Sequence, residues 1–181
     1  MYNGEGGARV RTNVLVSDLN VRGVDVNDGR RLEIVAEGLP LYHGIQLAID
    51  ATLVSPLGRN NHPRCNSNNQ DGAVLHEARL KKQRTYRDIV QSRRCHLLTA
   101  GLEIGGRWSE EFSGFIRHLA KNKAKDSPPF LFRSSQQILQ RRWQGLIAVA
   151  AQKSLMKSIL QDRMQDCSCE GGELFSWSVL M

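Results

Sequence analysis

The stretch LAIDATLVSPL, residues 47–57, sets one carboxylate, Asp50, in the middle of an apolar run. A run of this length ended by Pro56 suits a strand. Alternation then places Leu47, Ile49, Ala51 and Leu53 on one side, and Ala48, Asp50, Thr52 and Val54 on the other. An acid with apolar strand neighbours either faces water or has its charge compensated by a partner. Any fold proposed for the chain has to provide for Asp50.

The preceding stretch RLEIVAEGL (31–39) reads as a second strand, with Leu32, Ile34 and Ala36 on one face and Glu33 and Val35 on the other. Pro40 and Gly44 bracket the turn PLYHG, so the two strands are expected to pair as a hairpin. Glu33 and Asp50 then both face away from its more apolar side.

After the polar loop LGRNNHPRCNSNNQDG, the segment AVLHEARLKKQRTYRDIV predicts one helix over 73–90, capped by Asp71. Its apolar stripe runs through Leu75, Ala78, Tyr86 and Ile89, and the position that completes the stripe is Lys82. A lysine there either snorkels past the core or points its ammonium at an anion. Arg79 borders the stripe and is expected to reach water, as are Lys81 and Arg84, which lie off it.

CHLLTAGLEI (95–104) predicts another strand closed by Gly105-Gly106. Ser109, followed by Glu110 and Glu111, opens a helix with acids at its start and cations at its end. DSPPF breaks it, and a long helix is expected from about residue 134 to 161, with Ile138, Trp143, Ile147, Ala151 and Leu155 as its apolar stripe. Upstream, NVLVSDLNVRGVDVNDG (13–29) has room for one or two short strands. This order predicts an α/β fold, a small mixed sheet flanked by helices. The expected organisation is a flexible tail over 1–11, an α/β core over 12–106, a helical extension packed on it over 107–161, and an unassigned tail over 162–181.

With 181 residues, 40% of them hydrophobic, the chain is long enough to bury a core. Its net charge of +7 suits a polyanionic partner. Cys65, Cys95, Cys167 and Cys169 form no disulfide framework, and the N-terminal residues do not read as a signal peptide. The expectation is an intracellular protein, compatible with the nucleus, not secreted and not membrane-bound. His62, Cys65, Cys95 and His96 lack the spacing of a strong zinc site. No Gly-rich phosphate loop or nucleophile elbow is visible, so no small-molecule cofactor is expected.

Two acids on one sheet face and a lysine on a covering helix suit a hard divalent cation, which takes carboxylate oxygens and phosphate oxygens. The competing reading is a solvated sheet face and a snorkelling lysine. The stretches NDGRRLEIVAEGLPLYHGIQLAIDATLVSPL, AVLHEARLKKQRTYRDIV and LLTAGLEIGGRWSEE together resemble the region that follows the polymerase domain in non-LTR-retrotransposon-type reverse-transcriptase-like proteins. That region in turn is similar to the restriction-endonuclease-like PD-(D/E)xK nucleases, and the resemblance extends over about residues 13–160.

The resemblance implies a restriction-endonuclease-like core with C-terminal helices that uses Mg²⁺ or Mn²⁺ to nick DNA. On it, Glu33 stands at the first metal-binding acid, where Asp is usual, and Asp50 at the second. Thr52 occupies the usual place of the lysine. The superfamily sometimes carries this lysine on the following helix, which makes Lys82 the catalytic candidate and Lys81 its understudy. Glu103 becomes a possible auxiliary metal ligand.

Seven cations lie between Arg79 and Arg94, and Arg79, Arg84, Arg87, Arg93 and Arg94 are the candidates for holding a DNA or RNA backbone. No polymerase domain lies within these 181 residues. The alternative expectation is therefore a catalytically dead nucleic-acid-binding module or a decayed fragment of a reverse-transcriptase polyprotein.

Overall fold

The computed structural model describes residues 2–3, 8–19, 21–58 and 60–166. Its elements are β1 (Tyr2–Asn3), β2 (Arg9–Leu15), β3 (Arg31–Glu37), β4 (Gln46–Val54), α1 (Ala73–Thr85), α2 (Arg87–Gln91), β5 (Cys95–Glu103), α3 (Glu110–Ala124) and α4 (Phe132–Asp166). The strands form one sheet in the order β1-β2-β3-β4-β5. The first four run antiparallel to their neighbours, and β5 lies parallel to β4. The fold is thus mixed α/β, a sheet with flanking helices.

A parallel neighbour needs a crossover, and the loop, α1 and α2 between β4 and β5 supply it. They return the chain over the face that carries Ala48 and Asp50. The core on this side joins Val35, Ala48, Cys95 and Leu97 of the sheet to Tyr86 and Ile89, with Val14, Val16, Leu19, Val21 and Leu32 at its β2 end. On the reverse face Leu47, Ile49 and Leu98 are buried, and α3, which packs on β5, buries Phe112, Phe115, Ile116 and Ala120. The helical spacing of these four side chains gives α3 a single apolar stripe.

At Gly101 on β5, Leu75 of α1 and Ser109 at the start of α3 both close on the strand. A Cβ there would lie 3.0 Å from Leu75 Cδ2 and 3.3 Å from Ser109 Cβ. Gly101→Ala is expected to lower stability by about 1–2 kcal/mol through overpacking, measurable by urea unfolding.

Several boundaries differ from the sequence expectation. Residues 9–11 are part of a strand rather than a tail, because Arg9, Val10 and Arg11 pair with Glu37, Ala36 and Val35. Asp71 does not cap α1: the N-cap is Gly72 in the left-handed region, and the exposed Asp71 pairs with Arg107 at 2.9 Å. The helix expected over 73–90 breaks at Tyr86, whose φ of −112° and ψ of 43° separate α1 from α2. Ser109 does cap α3, its hydroxyl accepting the N–H of Phe112.

The chain divides into two compact units, residues 1–145 and 146–181. Sheet, α1, α2 and α3 belong to the first. The division therefore falls within α4. The second unit, as far as it is described, is the C-terminal portion of α4, with Leu146, Val149, Met156, Ile159 and Leu160 exposed. Cys167 and Cys169 lie outside the described residues. No helix among the described residues is long and apolar enough to cross a membrane.

Candidate functional site

β3 and β4 pair through Ala36↔Leu47, Val35↔Ala48 and Ile34↔Ile49, and there the ladder stops. One step further, the same register sets Glu33 across from Asp50, where the strands have parted. Side chains replace the missing ladder bonds. Glu33 Oε2 accepts the N–H of Ala51 at 3.0 Å, and the Tyr86 hydroxyl donates to the carbonyl of Arg31 at 2.8 Å. The ladder to β2 is also interrupted at this level. Asn13, between the pairs Thr12↔Ile34 and Val14↔Leu32, has a left-handed φ of 52°. Interrupted ladders and positive φ are the local irregularities that re-aim side chains at functional sites.

Asp50 is 2% exposed, with Thr99 as its parallel partner on β5. Its compensation comes from α1. Lys82 Nζ lies 2.6 Å from Asp50 Oδ2, and no hydrogen bond of good geometry reaches that oxygen, so the contact is ionic. Lys82 thus fills the gap in the apolar stripe of α1 by pointing its ammonium at an anion. Its side chain keeps 28% of its surface in contact with solvent, so the buried acid and the solvent meet at this lysine.

Glu33 remains solvent-exposed as a residue, but its carboxyl group lies inward beside Asp50. Burial first, and the hydrogen bond and charge of Asp50 next, push its pKa from the usual 4.5 up to about 7. Burial, followed by the charges of Asp50 and Glu33, likewise pushes the Tyr86 hydroxyl up to about 12.

The Glu33 shift has a sign for stability. Between pH 4.5 and about 7 the folded chain holds a proton that the unfolded chain has lost, so its contribution weakens as pH rises through that window. In chelator, Glu33→Gln is expected to unfold at higher urea than wild type at pH 8. The gain should be about 1 kcal/mol after allowance for solvent screening, and it should vanish below pH 4.5.

The structure brings together Glu33, Asp50 and Lys82. Lys81 is exposed on another face of α1 and does not join them. Glu103 does not either: it pairs with Val54, four residues along from the Asp50↔Thr99 pair, or roughly 13 Å up the strand. Its carboxylate lies 3.8 Å from Arg107.

Arg79 is exposed, as expected, and its Nε also lies 3.2 Å from Glu111 Oε2. Glu111 is the acid that sequence reasoning passed over. It sits in the first turn of α3, where acids are expected for the helix dipole alone. Burial raises its pKa, and Arg79, the Thr99 backbone and His96 oppose the rise. Tyr42 stacks on His96 nearby, ring centroids 4.3 Å apart.

Arg84 on α1, Arg87 on α2, and Arg93 and Arg94 just after α2 are all exposed. Cys65 and Cys95 are free, and no group of three or more His, Cys, Asp or Glu suited to a metal is present among the described residues. The potential donors are therefore the two carboxylates of Glu33 and Asp50. That set fits Mg²⁺ or Mn²⁺, which take one or two carboxylates and fill the remaining positions with water or phosphate oxygen. No protein-family model, curated protein or solved structure matches this chain.

Proposed function

We propose that the chain is a restriction-endonuclease-like domain of retrotransposon type that nicks DNA with a divalent cation held by Glu33 and Asp50. The observation that carries this reading is the contact of Lys82 Nζ with Asp50 Oδ2 at 2.6 Å, made where β3 and β4 part and Glu33 stands opposite. An acid pair on neighbouring strands, with a lysine from the covering helix, is an arrangement that the family the chain resembles sometimes takes.

When bound, Mg²⁺ or Mn²⁺ would polarise a phosphate oxygen and make water a stronger nucleophile. The chain's own groups have separate tasks. Glu33 gives up its proton near neutral pH, which readies the acid pair for a cation. The Lys82 ammonium, partly open to solvent, faces the charge that develops on phosphate as the water oxygen bonds to phosphorus and the sugar oxygen leaves. Arg84, Arg87, Arg93 and Arg94 hold the backbone through phosphate contacts without reading bases.

The test is nicking of supercoiled plasmid in Mg²⁺ or Mn²⁺ against chelator, with DNA binding followed across a salt series. Metal-dependent nicking is expected. Binding should weaken steeply with salt, and Arg93→Ala/Arg94→Ala should reduce the slope of log K against log salt by about 2 if both contact phosphate. Salt-sensitive binding without nicking in either metal would favour the alternative, a nucleic-acid-binding module that lacks the chemistry.

A further inference from the structure

Lys82 reaches Asp50 from a helix that ends one turn later, so something must fix that end against the sheet. Two residues do so. Tyr86, 6% exposed, donates its backbone N–H to the carbonyl of Lys82 at 2.9 Å and its hydroxyl to the carbonyl of Arg31 on β3 at 2.8 Å. The Arg30 carbonyl is already taken by the N–H of Val16 on the β2 side. By alternation the Arg31 carbonyl points to the other side, where the β4 ladder has stopped. The tyrosine thus fills a vacancy in β3 two residues from Glu33.

Arg30 makes the second tie. Its guanidinium sits 5.6 Å over the Tyr86 ring and binds Asp88 of α2 through both nitrogens, at 3.1 and 2.6 Å. It also holds Asp28 through Nε at 2.9 Å and donates to the Thr85 carbonyl, one of the unpaired groups at the end of α1. A planar fork that serves two carboxylates and a helix terminus sets direction as well as charge.

We infer that Tyr86 and Arg30 are positioning residues for Lys82, a latch that ties the end of α1 to the start of β3 and so holds the lysine on Asp50. The contacts themselves do not depend on the proposed chemistry; the kinetic consequence rests on that reading. Both act through the helix rather than on the acid pair.

The test compares wild type with Tyr86→Phe, which removes one oxygen, and with Arg30→Met and Arg30→Lys. Lysines are labelled with an amine-reactive acylating reagent, and modification of Lys82 is measured by mass spectrometry relative to Lys81. Lys81 is exposed on the same helix and serves as the reference for any loosening of the whole chain. In wild type Lys82 should label more slowly than Lys81. Tyr86→Phe should raise the Lys82/Lys81 ratio about fivefold, the size expected from one lost hydrogen bond. Arg30→Met should raise it at least as much, and Arg30→Lys should fall between Arg30→Met and wild type.

If wild type nicks DNA, kcat should fall in step with the ratio while KM holds. If it does not nick, the functional proposal fails and the labelling ratio still decides the latch. An unchanged ratio in Tyr86→Phe and Arg30→Met, even with lower melting temperatures, would reduce both residues to general stabilisers and overturn the inference.

Discussion

Asp50→Asn is expected to lower metal-dependent plasmid nicking by about a thousandfold or more while the protein stays folded, because it removes half of the cation's protein donors and leaves the shape of the site intact. The amide is isosteric, still accepts a hydrogen bond, and sits where the carboxylate was 2% exposed. DNA binding, which the proposal assigns to the exposed arginines of α1, α2 and the turn after them, should be nearly unchanged in chelator. The comparison therefore separates chemistry from binding in one protein. Equal nicking by the two proteins would mean that Asp50 has no part in it.

Lys82→Met should be the most damaging single change to the fold near this site. It keeps a flexible apolar stem of similar reach but leaves Asp50 Oδ2 buried without its ionic partner at 2.6 Å. Removing one member of a buried pair costs about 3–5 kcal/mol, and the partial exposure of Lys82 puts the expectation near the lower figure. Urea unfolding in chelator measures it. Asp50→Asn in the Lys82→Met background should recover most of the loss, since the amide carries no charge. A double-mutant cycle isolates the coupling. If Lys82→Met loses under about 1 kcal/mol, the lysine only snorkels past the acid and the contact is incidental.

The site was legible in the sequence wherever it rested on short-range pattern. Period-two alternation placed Glu33 and Asp50 on one sheet face, and the gap in the apolar stripe of α1 singled out Lys82. Tertiary contacts decided what pattern did not reach. Arg30 and Tyr86 meet partners 55 to 58 residues away, and nothing local distinguishes Arg30 from its neighbour Arg31. Glu111 carried a sufficient local explanation as a first-turn acid, which hid its burial against Thr99 and Arg79.

Glu103 stands apart for the complementary reason: residue type suited the role, but register put it roughly 13 Å up the strand. Tyr86 ended α1 early because its side chain bonds across to β3, a preference that helix propensity over 73–90 does not contain. Pairing with β3 made residues 9–11 a strand despite their loose composition.

The most direct measurement is calorimetric titration of the protein with Mn²⁺, for wild type and Asp50→Asn, in two buffers of different ionisation enthalpy. Wild type should take up one ion per chain. Below pH 7 it should release close to one proton from Glu33, and at pH 8.5 almost none. Asp50→Asn should bind at least tenfold more weakly. No saturable binding by wild type, or equal binding by both proteins, would contradict a cation site at Glu33 and Asp50.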